Sequence, residues 1–273
     1  MPTIVDFGSR SIKIFISDCS NLRSQIASIN WCPLEPTTSS TDIEAALEDL
    51  GRRMLGAPEP FLAIGTAFAR RSPRLRAQIE EFCAARRWRY ETVTQERELD
   101  LIARAFAGST TGRDVFNAGG GSIQIAAADG AHTMLDFGIS DLNARFGLNL
   151  AVAERRMDAC VSWLADRMPR AQAPFVYTGG EATYLTALGV RLDADGRCDA
   201  TVFRRLATRL AGTEPEALEQ LSPFGPRWMT GAVASNCIVL AALRVRELDH
   251  FFASDANVAD GLALAYAEES RGR

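Results

Sequence analysis

Three successive glycines, Gly119-Gly120-Gly121, break the β-rich run Val115-Phe116-Asn117-Ala118, which resumes as Ser122-Ile123-Gln124-Ile125. With no side chains to hinder them, their N–H groups can turn toward one anion and form a concave backbone nest suited to phosphate. A hairpin turn between two strands has the same composition, so this loop alone leaves both readings open. A second turn, Gly8-Ser9-Arg10-Ser11, lies between Thr3–Phe7 and the alternating Ile12, Ile14 and Ile16. Asp6 at its mouth could hold a metal or a water beside phosphate oxygens, with Ser9 and Ser11 as further donors; a polar residue ending a strand is the plain alternative. A third, Thr178-Gly179-Gly180-Glu181, follows the apolar Phe175-Val176-Tyr177. A strand-to-helix turn of that form can hold a nucleotide or phosphate at a helix N-terminus.

Composition narrows the chemistry. The 273 residues carry a formal charge of −4, so no global basic field exists to gather nucleic acid or anionic lipid, and any polyanion must be met locally. Lys13 is the only lysine, which excludes a Walker-type phosphate loop while leaving many arginines able to grip phosphate with two N–H groups. The six cysteines are widely spaced without a CxxC pair, and His132 and His250 are the only histidines, so neither a zinc site nor a disulfide framework is expected. No signal-peptide pattern opens the chain and no apolar run of membrane length is read in it, so a cytoplasmic, reducing location is expected, with neither membrane nor nucleic acid as partner.

Several elements must position these turns. Strands are expected over Thr3–Phe7, Ile12–Ile16, Ser24–Cys32, Phe61–Gly65 and Trp88–Val93, with a helix whose apolar face is Ile43, Leu47, Leu50 and Met54. Ser72-Pro73 reads as the N-cap and first position of another helix, which puts Arg70 and Arg71 in a strand-to-helix loop, the edge of an open α/β sheet where ligands bind. A helix over Gln95–Ala107 carries Glu96 and Glu98 in its first turn, where the helix dipole alone explains acidic residues. Beyond the triple-glycine loop come a strand over His132–Phe137, a long helical region Asp141–Arg167, and the strand Pro174–Tyr177. The last third is helical, with one strand at His250–Ala253 and an apolar helix over Met229–Arg246. A glycine-turn hairpin followed by alternating helices and strands thus occurs twice, starting near Thr3 and near Asp114. Two similar α/β lobes, 1–109 and 110–273, facing a shared phosphate-binding cleft, would explain both length and pattern.

In this order the motifs resemble those of the exopolyphosphatase and guanosine pentaphosphate phosphohydrolase family of the actin-like ATPase superfamily. Val5-Asp6-Phe7-Gly8-Ser9-Arg10-Ser11 is similar to its Asp-x-Gly-Ser-Asn-Ser hairpin, and Gly65-Thr66-Ala67-Phe68-Ala69-Arg70 to its Ala-Thr-Ser-Ala-Leu-Arg segment, whose arginine faces substrate phosphate. Thr94-Gln95-Glu96-Arg97-Glu98-Leu99 stands where the family has Ser-Gly-x-Glu-Glu-Ala, which implies general-base chemistry at Glu98. Thr178-Gly179-Gly180 and Ser254-Asp255 through Gly261 match in order and spacing. The resemblance covers essentially the whole chain and implies two actin-like, ribonuclease H-like lobes, with the last helix able to pack back on the first. It also implies Mg2+ or another divalent cation, a phosphate-rich small molecule or nucleotide as partner, and a homodimer.

The departures are chemical. The family's Asp-x-Gly-Gly-Gly-Ser-x-Glu carries amides here, Asn117 and Gln124, which can bond phosphate or place a water but cannot take a proton at neutral pH and are poorer Mg2+ ligands. Arg10 replaces an asparagine, and Ser140-Asp141-Leu142-Asn143-Ala144-Arg145-Phe146 loses an arginine and a glutamate of the family pattern. The extra helical domains of longer members are missing, which argues against processive binding of long polyphosphate. Three functions follow from the resemblance. One is a phosphohydrolase acting on the terminal phosphoanhydride of short polyphosphate or a guanosine pentaphosphate-type nucleotide, with Asp6, Arg70 and Glu98 as its chemical core. The second is a catalytically weak or inactive nucleotide- or polyphosphate-binding regulatory protein, and the third an actin-like small-molecule kinase.

Overall fold

The computed structural model describes residues 2–17, 23–33, 38–107, 112–150, 154–224 and 227–271. The chain forms two compact α/β units. One comprises Met1–Ala107, Gly119–Gly121 and Asn257–Arg273; the other comprises Gly108–Ala118 and Ser122–Ala256. The division expected at Thr110 falls outside the described residues.

In the first unit, β1 (Thr3–Phe7) and β2 (Ser11–Ser17) form the expected antiparallel hairpin, and β3 (Arg23–Asn30) continues it. On the other side of β1, β4 (Phe61–Gly65) and β5 (Arg89–Thr92) pair parallel, giving the order β3-β2-β1-β4-β5. Parallel neighbours need crossovers, and helices supply them: α1 (Ser40–Arg53), α2 (Ala67–Arg71) and α3 (Pro73–Ala85). Ile43, Leu47 and Leu50 of α1 are buried as their spacing requires, and Ser39 caps the helix with its hydroxyl on the Asp42 N–H. Ser72 caps α3 ahead of Pro73 as expected. Arg70 and Arg71, however, sit on the one-turn helix α2 rather than in a loop. Helix α4 (Gln95–Ala105) follows β5, and α11 (Val258–Arg271) packs on it.

The second unit repeats the plan. An antiparallel hairpin of β6 (Asp114–Ala118) and β7 (Ile123–Ala126) is extended by β8 (His132–Leu135) on one side and by parallel β9 (Phe175–Tyr177) and β11 (His250–Ala253) on the other, with β10 (Arg197–Asp199) added at the edge. The helical region expected at Asp141–Arg167 is two helices, α5 (Ile139–Phe146) and α6 (Glu154–Ala165), because Gly147 takes a left-handed conformation at φ 61° and ends the first. Helices α7 (Glu181–Ala187), α8 (Ala200–Ala211), α9 (Pro215–Glu219) and α10 (Ala232–Arg246) complete the unit, the last preceded by a 3-10 turn at Met229–Gly231. Met229–Arg246 is, by length and composition, 18 residues apolar enough to cross a membrane, which corrects the sequence reading; most of it is buried as the unit's core helix. At its end the Arg246 guanidinium donates to Asp114 Oδ2 at 2.6 Å, and both side chains are fully buried.

The five described cysteines, Cys32, Cys83, Cys160, Cys198 and Cys237, are buried free thiols. The α/β class is thus observed, with two sheets.

Candidate functional site

Asp6 is the fourth residue of β1 and lies directly opposite Lys13 in the antiparallel ladder, so both side chains emerge on one face. Beyond it the chain turns over Gly8-Ser9-Arg10-Ser11, closed by the Gly8 N–H on Ser11 O at 3.0 Å. A Cβ on Gly8 would stand 2.9 Å from that oxygen, so the turn needs glycine. Trp31 fixes the tip: its indole N–H donates to Gly8 O at 2.7 Å, its backbone N–H bonds Arg10 O, and its ring packs edge-on against Phe68. Ser9 is buried, and its Oγ has no protein hydrogen-bond partner. Such an orphaned hydroxyl is costly unless a ligand or water satisfies it.

The chain ends of β1, β4 and β5 bring the remaining groups to the same edge of this sheet. The Thr66 N–H bonds Phe7 O, which starts α2 beside the end of β1, and the Val93 N–H bonds Gly65 O, which starts α4 beside the end of β4. Arg70 on α2 then reaches Val93 O at 2.9 Å and Glu98 Oε2 at 3.0 Å. Glu98 is only 4% exposed, on the same face of α4 as Leu101 and Ile102. Glu96 differs: it is exposed, and hydrogen bonds from the backbone and from Thr94 hold its carboxyl group below the usual range, as suits a residue capping the helix start. The two first-turn glutamates therefore separate into a capping residue and a buried, arginine-paired one.

Gly119–Gly121 belong to this unit by their contacts. A Cβ on Gly120 would lie 2.9 Å from Ser9 Cβ and from Arg10 Cγ, so close approach to the hairpin tip is what demands glycine there. Arg71 Nη2 donates to Gly121 O at 2.5 Å. Arg71 was expected only as a neighbour of Arg70; the structure makes it a holder of the glycine loop.

In the second unit Asn117 is the fourth residue of β6, the position that Asp6 has in β1, and Gln124 lies opposite it as Lys13 lies opposite Asp6. Asn117 Nδ2 donates to Gln124 Oε1 at 2.8 Å, and Gln124 Nε2 donates to Ser122 Oγ at 2.8 Å. Thr178 Oγ1 donates to Phe116 O at 3.1 Å and lies 3.5 Å from Asn117 Oδ1. These four side chains form one neutral, buried network.

The Gly179-Gly180 turn is less open to phosphate than the sequence suggests. The Gly179 N–H bonds Ala256 O at 3.2 Å and the Glu181 N–H bonds Ser254 O at 3.3 Å, so two of its donors are engaged within the protein. Gly180 is required by φ 109° and by Phe224, whose ring edge would stand 3.0 Å from an added Cβ. Glu181, to which the turn motif assigns no role, is 4% exposed with Oε1 lacking a partner; burial, and secondarily Asp255, push its carboxyl group up to about 8. Asp255 itself accepts from the Thr183 N–H at 2.9 Å and from Thr183 Oγ1 at 2.6 Å.

A divalent cation fits these donors poorly. Mg2+ takes hard anionic oxygens, yet Glu98 is bound to Arg70, and the amides of Asn117 and Gln124 are neutral and bound to each other. Among the described residues no group of three or more His, Cys, Asp or Glu could hold a metal.

No protein-family model matches the sequence, and no curated protein matches it. Solved structures do. A Ppx/GppA family member from Aquifex aeolicus aligns over 98% of both chains with a TM-score of 0.72 at 18% identity. An exopolyphosphatase from Cytophaga hutchinsonii aligns over 98% of both chains with a TM-score of 0.81 at 14% identity. An exopolyphosphatase-like protein aligns over 98% of this chain and 99% of its own, with a TM-score of 0.78 at 16% identity. At such identities the likeness is one of backbone, and with the doubled hairpin-and-parallel-strand plan it gives the chain the actin-like fold of the Ppx/GppA structures.

Proposed function

We propose that this chain is a phosphohydrolase acting on the terminal phosphoanhydride of a short polyphosphate or a guanosine pentaphosphate-type nucleotide. The observation that carries the reading is the Arg70–Glu98 pair at the strand ends, its glutamate buried and its arginine partly exposed, next to a hairpin tip whose Ser9 hydroxyl has no protein partner. A phosphate oxygen competes with Glu98 for the Arg70 guanidinium, since both offer it a charged acceptor. Once Arg70 turns to the phosphate, the Glu98 carboxylate is released to take the proton of an attacking water, while Arg10, Arg71 and the glycine-loop N–H groups meet the charge that develops on the phosphoryl oxygens.

The test is phosphate release and binding measured side by side with tripolyphosphate and guanosine pentaphosphate. Glu98→Gln should lower turnover by roughly 10²–10⁴-fold with affinity little changed, because a base acts in the transition state rather than in binding. Arg70→Ala should weaken binding by the roughly 1.5–3 kcal/mol of a charge-assisted contact. Turnover equal in wild type and Glu98→Gln would remove Glu98 as the base.

A second reading has its own observation. Asn117 and Gln124 satisfy one another and neither can carry a proton, which favours a nucleotide- or polyphosphate-binding regulatory protein with little or no turnover. Tight binding with no phosphate release from either ligand would decide for it.

A further inference from the structure

Within the second unit a cavity of about 160 Å3 lies between the end of α8, helix α9 and the start of α10, and no residue of either glycine hairpin lines it. We infer that it binds a small amphipathic cation, an ammonium group on an apolar body, of about six to ten non-hydrogen atoms in all. Much of its lining is apolar: Leu148, Leu210, Leu218 and Val233 line it, and all four are buried. An apolar cavity of roughly 150 Å3 can stay dry and take benzene, so one of this size has room for a phenyl ring or a short alkyl chain.

The charge of the lining has one sign. Glu216 and Glu219 are the only charged residues among those that line the cavity, and they stand three apart on α9, so both carboxylates fall on one side of that helix. Glu216 is exposed, whereas both carboxylate oxygens of Glu219 are shut off from solvent and neither accepts a hydrogen bond. A carboxylate taken out of water with neither a donor nor a cation beside it is strongly disfavoured. Donors that the chain brings close are engaged elsewhere: Arg209, on the last turn of α8, donates to Leu188 O at 3.4 Å, and the Thr213 hydroxyl donates to Arg209 O at 2.8 Å. An ammonium group would give Glu219 a charged donor while its apolar tail covers the leucines; a neutral ligand of the same shape offers only the second gain. This site shares no residue with the Arg70–Glu98 pair, so it stands whether or not the chain is a phosphohydrolase.

Calorimetric titration of the whole chain with phenylethylamine, beside phenylethanol as its uncharged counterpart, tests this. At neutral pH the amine should bind at least about tenfold more tightly than the alcohol, the value of one charge-assisted contact. Glu219→Gln should remove that preference while the affinity for the alcohol stays within about threefold of wild type, which separates loss of charge from loss of fold. Thermal unfolding of the variant checks the fold directly, and Glu219→Asp, which keeps the charge, should hold part of the preference. Equal wild-type affinity for amine and alcohol would mean that the cavity reads apolar shape alone, and overturns the inference. So does the absence of amine binding, or a preference for the amine that survives Glu219→Gln. None of these outcomes bears on phosphate release, so the phosphohydrolase reading stands or falls separately.

Discussion

Burial first and the Asp255 carboxylate second raise the Glu181 carboxyl group to about 8, so it is largely protonated at neutral pH. A carboxyl group that ionises less readily folded than unfolded stabilises the fold fully only below its unfolded value, and that contribution is lost as pH rises toward the folded one. Stability should therefore fall between about pH 4.5 and 8, by on the order of 4 kcal/mol if no other group intervenes. Chemical denaturation across that range should show Glu181→Gln flattening the decline and exceeding wild type at pH 8; parallel curves for the two proteins would refute it. Nothing in Thr178-Gly179-Gly180-Glu181 announces this, because an acid in a first helical turn is what the helix dipole favours. Glu98 was more legible: in Glu98-Leu99-Asp100-Leu101-Ile102 it stands three and four residues before two apolar positions and so on their face, whereas Glu96 does not. The Asn117–Gln124 contact was legible too, since a four-residue loop over 119–122 puts the two opposite each other.

Helix α4 is held where it is by one glycine of α11. A Cβ on Gly261 would lie 1.8 Å from the backbone oxygen of Leu101, so the two helices touch backbone to backbone and no side chain fits between them. Glu98 is three residues from Leu101, less than one turn away. Gly261→Ala must push the helices apart, and it should cost about 3 kcal/mol in denaturant unfolding and weaken tripolyphosphate binding as Glu98 and Arg70 lose register. Gly212→Ala is the control, its added Cβ meeting nothing nearer than 3.7 Å, and should change stability by less than about 1 kcal/mol. Equal stability of wild type and Gly261→Ala would show that α11 does not set the position of α4. Element existence was readable from apolar spacing, as Ile43, Leu47 and Leu50 show. Three kinds of detail were not. The turn α2 is too short for a helical period, β10 has three residues and only Cys198 buried, and Gly147 ends a helix within an apolar pattern that runs on past it.

Across the molecule one plan is used twice: the order β3-β2-β1-β4-β5 corresponds to β8-β7-β6-β9-β11, with β10 added. That duplication was visible as two glycine-turn hairpins at similar distances into each half. No apolar spacing marks the routing, which only the resemblance implies: the first unit takes its last helix from Asn257–Arg273 after the second unit has been traversed. On the ribosome, the first unit must therefore wait for the second. Its opening 107 residues emerge with the faces of β1, β2 and α4 that α11 will cover still bare, and they stay so until the final helix is made. Contacts of such sequence separation are slow to form and leave the waiting surface open to aggregation or chaperone capture. A chain stopped after Ala256 should contain a folded second unit beside a collapsed but loosely packed first one, with rapid hydrogen exchange in α4. A synthetic 257–271 peptide added in trans should restore protection there. Protection of α4 already at native level in the truncated chain would mean that the first unit closes without waiting for its last helix.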